Sequence, residues 1–235
     1  MKKLVVFAAA IMLVGAFAAQ AAPRKESPRP RINRAPASGN LAQHKGWFAF
    51  VPKIGFVVPT GSYGDASKSG FRFQGAAEYY IRNDWTIGVS TAFVQSGATD
   101  DSRTASEAVL TAQTGNPVAI SSWKYRTMQF GGYARHLFAT TSPKISPYVS
   151  GGLGIYGTKS SASGTGATQA EIDAATGSGS SETNFGFNMG GGLMMAMTPN
   201  IGFNVGMTYH NAFSDPSINY FVFNGGLNFF FNTAR

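Results

Sequence analysis

The 235-residue chain contains no cysteine. That excludes disulfide staples, thiol nucleophiles and cysteine-ligated metals, and it suits an exported protein stabilised by other means. Histidine is nearly as scarce. His44, His136 and His210 stand at no metal-pair spacing, so neither a metal nor a cofactor is expected. Charge is also thin: 13% of residues are charged, where a soluble domain carries about twice that share. Past the N-terminus, no run approaches the roughly 20 apolar residues of a membrane helix. A spanning chain without such helices must be a closed barrel, because backbone groups in hydrocarbon all need partners.

At the N-terminus, Lys2 and Lys3 precede a short apolar stretch, Leu4 to Ala19, and Ala19-Gln20-Ala21 has the small-x-small pattern of a cleavage site. Residues 1–21 therefore read as a signal peptide, cut after Ala21 because a cut after Ala22 would leave Pro23 first. Residues 22–45 are Pro-rich, basic and without apolar periodicity, and read as a disordered periplasmic segment. The net charge of +8 divides into +2 in the signal, +5 in 22–45 and +1 in the remainder. The basic character belongs to a tail rather than to a nucleic-acid-binding face, so no nucleic-acid partner is expected. Two readings of that tail stay open: contact with peptidoglycan or anionic lipid heads, and a plain flexible leader.

From Gly46 the texture changes to alternation in segments of about ten residues, as membrane strands require. Eight segments stand out: 47–58, 71–81, 85–94, 122–138, 146–157, 184–197, 201–209 and 220–231. In the first, Phe48, Phe50, Ile54 and Phe56 share one face, against Ala49, Val51, Lys53 and Gly55 on the other. Tight turns at 82–84, 139–145 and 198–200 alternate with long links at 59–70, 95–121, 158–183 and 210–219. Short periplasmic turns and long external loops are the habit of outer-membrane barrels. The expected fold is all-β: an eight-stranded antiparallel transmembrane β-barrel over 46–235. Helices are expected within two loops, at Thr104–Gln113 and Ala167–Ala175, from their Ala, Glu and Gln content. Trp47 and Trp85 are expected at the periplasmic interface and Trp123 at the external one. The alternative is a soluble barrel, which would turn its Phe-rich face inward.

Two stretches resemble a known family. Gly55-Phe56-Val57-Val58-Pro59-Thr60-Gly61-Ser62-Tyr63-Gly64-Asp65 resembles the first-strand exit of small outer-membrane β-barrel proteins, and Pro147-Tyr148-Val149-Ser150-Gly151-Gly152-Leu153-Gly154-Ile155-Tyr156 resembles one of their glycine-rich strands. The resemblance, over about 46–235, is to the porin-like, opacity, OmpW- and OmpX-like superfamily. It implies the cell outer membrane of a Gram-negative bacterium, contact with lipid and lipopolysaccharide, and insertion by the barrel-assembly machinery. One departure is the end: Asn232-Thr233-Ala234-Arg235 follows Phe231 where such barrels stop on an aromatic residue. The resemblance then implies slower or altered recognition by that machinery.

The strand faces direct Lys53, Arg72, Glu78 and Arg135 into the lumen. An eight-stranded barrel is only wide enough to be filled by side chains, so these charges form either a salt-bridged plug or a narrow selective pore. The glycines at 151, 152, 154 and 190–192 lie inside strands and lack the strand-to-helix turn of a phosphate loop. His210 stands near the external rim with Ser214 and Asp215, the residue types of acyl chemistry, but without the His-x-Ser spacing of deacylase barrels. No catalytic residue is assigned. The leading functional reading is a non-enzymatic structural or interaction protein whose external loops meet the surroundings or a host ligand. A narrow OmpW-like channel is the alternative, and a rim enzyme acting on lipid A the third.

Overall fold

The computed structural model describes residues 44–142 and 144–232. Residues 1–21, where a signal peptide is expected, residues 22–43 of the basic segment, and residues 143 and 233–235 lie outside them. Eight strands follow in chain order: β1 (Trp47–Thr60), β2 (Gly70–Tyr80), β3 (Trp85–Gly97), β4 (Ala119–Leu137), β5 (Ile145–Thr165), β6 (Ser181–Ala196), β7 (Ile201–Ala212) and β8 (Ile218–Asn232). Each pairs antiparallel with the next and β8 returns to β1, closing the barrel. Closure leaves no sheet edge exposed to hydrocarbon.

The two-residue period of a strand sorts the side chains. On β1, Phe48, Phe50, Ile54 and Phe56 are exposed, while Ala49, Val51, Lys53 and Val57 are buried. On β2, Phe71, Phe73 and Tyr79 face out, and Arg72, Ala76 and Glu78 face in. Phe130, Leu153, Ile155, Phe185, Val205 and Phe223 carry the apolar surface round the barrel. A belt of this extent does not survive in water but suits hydrocarbon. The Phe-rich face points outward, which overturns the soluble-barrel alternative.

The external ends depart from the sequence reading. Pairing of β4 with β5 continues from Leu137↔Tyr148 to Ala119↔Thr165, well past the expected end at Gly157. Above the hydrocarbon neither face must be apolar, so Lys159-Ser160-Ser161-Ala162-Ser163 keeps the ladder without showing alternation. Three short helices fill the loops: α1 (Gly61–Ala66), α2 (Asp100–Thr114) and α3 (Gln169–Thr176). α2 starts earlier than expected because Thr99 accepts from the Ser102 amide, with Asp100 and Asp101 in the first turn. It stops at Gly115, where φ is 70°. A reciprocal Thr168–Glu171 capping box sets the start of α3. α1 has two glycines and little helix propensity; its buried Tyr63 ties it to the barrel through a hydroxyl bond to Ser96 Oγ (3.1 Å).

Candidate functional site: the filled lumen and its helical cap

The lumen is built in layers from the inward residues of all eight strands. Nearest the periplasm, Ala49, Val51, Ala76, Tyr80, Leu137, Tyr148, Met194 and Phe230 form one buried apolar cluster. His44 closes this floor. Its ring is buried and stacks on Phe230 at 4.2 Å between centroids, with Trp47 edge-on at 4.8 Å. The disordered segment expected over 22–45 is thus corrected at its end: His44 is a folded part of the barrel floor. A lone aromatic ring in a Pro-rich stretch carries no periodicity that would announce this.

Two glycines make the floor possible. A Cβ on Gly206 would lie 2.5 Å from the Tyr148 hydroxyl oxygen, and one on Gly88 would lie 3.0 Å from Cζ of Tyr133. Small residues on one strand leave the volume that a large ring from another fills.

Above the floor sits an ion pair. Arg135 donates to Glu78 from both terminal nitrogens, with Nη2 2.7 Å from Oε1 and Nη1 3.1 Å from Oε2. The Tyr133 hydroxyl donates to the same Oε1, and the Arg135 guanidinium lies 4.7 Å from the Tyr148 ring centroid. Such a two-point, hydrogen-bonded arrangement is what makes a buried pair tolerable. Higher up, Arg72 meets no carboxylate among the described residues. Its Nη2 donates to Gln129 Oε1 (2.6 Å) and its Nη1 contacts His210 Nε2. His210 Nδ1 faces the Tyr156 hydroxyl at 3.1 Å, and the His210 ring stacks on Tyr220 at 4.9 Å. Lys53 lies between the two clusters, because its ladder partner Gln74 stands between Glu78 and Arg72 on β2. Buried atoms such as Arg72 Nε, Asn204 Oδ1 and Asn224 Oδ1 have no hydrogen bond among the described residues; internal water is the usual partner of such groups.

An apolar layer of Val57, Tyr63, Val94, Tyr156, Ala212, Ile218, Tyr220 and Val222 follows. Over it lies the cap, where Leu110 of α2 and Ile172 of α3 are buried with Ala98, Val118, Ile120 and Trp123. Glu107 of α2 accepts from the Ile120 amide at 2.7 Å, and Lys68 donates to Asp100 at 2.6 Å. The Lys68 bond, with its charge, holds the Asp100 carboxyl below the usual carboxylate range, and bonds from Thr168 do the same for Glu171.

The structure places Lys53, Arg72, Glu78 and Arg135 inside the barrel, all buried. It joins Glu78 to Arg135 and leaves Arg72 in a separate cluster of neutral partners. The three tryptophans part company. Trp85 faces outward, against His136 at 4.8 Å. Trp47 turns toward the floor cluster. Trp123 needs correcting: it stands near the external end, but its ring is buried under the cap and its Nε1 donates to Ser160 Oγ (3.1 Å). It shares the inward parity of Thr127 and Gln129, which residue type alone does not reveal. The rim-enzyme constellation does not assemble, since His210 is buried against Arg72 and Tyr156 while Ser214 Oγ donates to Pro216 O (2.7 Å). Sequence reasoning missed Tyr148, Tyr156 and Tyr220 as lumen residues, although strand parity carried the signal.

The sequence matches the family model described as "Outer membrane protein beta-barrel domain" over residues 9–231. No curated protein matches it. Among solved structures it is similar to Neisserial surface protein A, at 18% identity and TM-score 0.52, covering 79% of this chain and 97% of that one. It is also similar to the outer membrane protein OprG from Pseudomonas aeruginosa, at 13% identity and TM-score 0.50, covering 83% of this chain and 100% of the other. At these identities the likeness is one of fold.

Proposed function

We propose that this chain, which belongs to the outer membrane protein β-barrel family and resides in the outer membrane, is a non-enzymatic surface protein whose barrel serves as a rigid post for its external loops. The carrying observation is the filling of the lumen from end to end: apolar floor, ion pair, aromatic layer and helix cap. Inward side chains are buried at each of these levels, which argues against the channel alternative. The two longest links are spent on α2 and α3, which bury Leu110 and Ile172 beneath them while Val109 stays exposed. Their polar faces remain free for recognition, and loops held by a rigid scaffold are where recognition concentrates. The His210–Arg72–Tyr156 contacts argue against rim catalysis, because both ring nitrogens of the base are engaged.

Single-channel recording in planar bilayers tests this directly. The refolded protein, its folding checked by the heat-modifiable gel shift of small barrels, is expected to give a silent trace. Reproducible current steps would replace the reading with the channel. Bacteria carrying a variant in which a Gly-Ser linker replaces 101–113 are expected to lose surface adherence while the barrel stays inserted. Unchanged adherence would end the loop assignment.

A further inference from the structure

The outer wall carries a basic patch that the lumen and cap do not use. Lys124 and Arg126 lie on the outward face of β4 and Lys159 on that of β5, and all three are exposed. Arg126 and Lys159 are direct ladder partners, and Lys124 is the next outward residue along β4, opposite Ser161. Directly opposed side chains on antiparallel strands have Cβ atoms about 4.5–5.5 Å apart, and like charges so placed weaken the pairing. The other ladder neighbours, Gln95, Gly97 and Ser181, are neutral. Among the described residues, none of the three cations forms an ion pair. Three adjacent positive charges therefore stand without a protein counter-charge.

Their height matters as much as their sign. The next outward residues below Arg126 on β4 are Met128 and Phe130, and Leu153 and Ile155 continue the apolar wall on β5. The patch thus sits where the hydrocarbon belt ends on the external side. In a Gram-negative outer membrane, that depth in the external leaflet holds the phosphorylated sugars of lipid A.

We propose that Lys124, Arg126 and Lys159 form a seat for the phosphate of a lipid A molecule whose acyl chains lie along Met128, Phe130, Leu153 and Ile155. The arginine fork suits two phosphate oxygens, and the flanking lysines add point charges that follow the headgroup. The bound phosphate also relieves the repulsion between Arg126 and Lys159. Attraction of this kind weakens as salt is added.

The test uses the whole chain, folded in the outer membrane of a Gram-negative host and extracted in mild detergent. Native mass spectrometry titrates it with diphosphoryl lipid A, fully dephosphorylated lipid A, inorganic phosphate and a heparin fragment. Diphosphoryl lipid A is expected to bind, and the combined variant Lys124→Gln, Arg126→Gln, Lys159→Gln to bind it at least about tenfold more weakly. Equal binding by the variant, or equal binding of the dephosphorylated lipid, overturns the proposal. Displacement of lipid by equimolar inorganic phosphate assigns the patch to a free anion instead. Tighter binding of heparin assigns it to a host polysaccharide, and either result rejects the lipid seat. Lys144→Gln, an exposed cation in the short turn before β5, is expected to leave binding unchanged. If the triple variant fails the gel-shift test of folding, Lys159→Gln alone and the phosphate comparison on the unaltered protein decide.

Discussion

Near the periplasm, Arg135 meets the carboxylate of Glu78 at 2.7 Å over a packed apolar floor. Toward the exterior, Arg72 lies among Gln129, His210, Tyr156 and Tyr220, and among the described residues no carboxylate pairs with it. Both arginines are almost wholly buried in one small barrel. The first charge is balanced by an opposite charge, the second by neutral groups that spread it. Buried ions persist either way, but the two arrangements respond differently to the loss of a partner. A compensated pair fails all at once, because its survivor is left buried and alone. A dispersed charge loses one hydrogen bond at a time.

Glu78→Gln should produce the largest effect, removing the one buried carboxylate among the described residues and leaving Arg135 without its partner. A loss of about 3–5 kcal/mol is expected from denaturant unfolding in detergent. Adding Arg135→Met to that variant should recover much of it. Arg72→Met should cost less, about 1–3 kcal/mol for the groups it leaves unpaired. A greater loss from Arg72→Met than from Glu78→Gln would break the comparison.

Gly206→Ala sharpens it from the packing side. The new Cβ would stand 2.5 Å from the Tyr148 hydroxyl oxygen and 2.7 Å from the Gly191 carbonyl oxygen. Overpacking of this kind costs about 1–3 kcal/mol, and unfolding curves unchanged from the parent would show that the floor yields.

The smallest effect lies in the cap. Asp100 is held below its usual range by Lys68, so its contribution is present above the unfolded carboxyl value of about 3.9 and disappears as pH falls through the lower folded value. Amides of α2 should therefore exchange faster with deuterium in strong acid than at neutral pH, relative to the barrel strands. Lys68→Ala should remove that difference.

Much of this architecture was legible because hydrocarbon imposes one rule on one face. Where the wall meets lipid, as at Phe48, Phe50, Ile54 and Phe56, alternation is enforced, and parity then points Lys53, Arg72, Glu78 and Arg135 inward. The rule says nothing about which inward charges meet across the lumen. Glu78 joins Arg135 rather than Arg72 because β2 and β4 bring those levels together in three dimensions, with Gly88 of β3 leaving room for Tyr133 between. The rule also lapses above the membrane. The overhang of β4 and β5, the inward turn of Trp123 and the short helix around Tyr63 all lie there, where packing against the cap decides and alternation carries no information. His44 escaped for a similar reason at the other end.

The overhang of β4 and β5 gives the molecule a mast. From Gly157 to Thr165 the paired strands climb past the end of the apolar wall. At about 3.3 Å per residue and a tilt of roughly 45°, that lifts their tip about 20 Å farther out. Surface sugars crowd the space close to a bacterial membrane and hide whatever lies flush with it. A helical platform stayed by such a mast stands clear of that canopy, so its reach into the surroundings is set by the length of one hairpin rather than by the size of the barrel beneath.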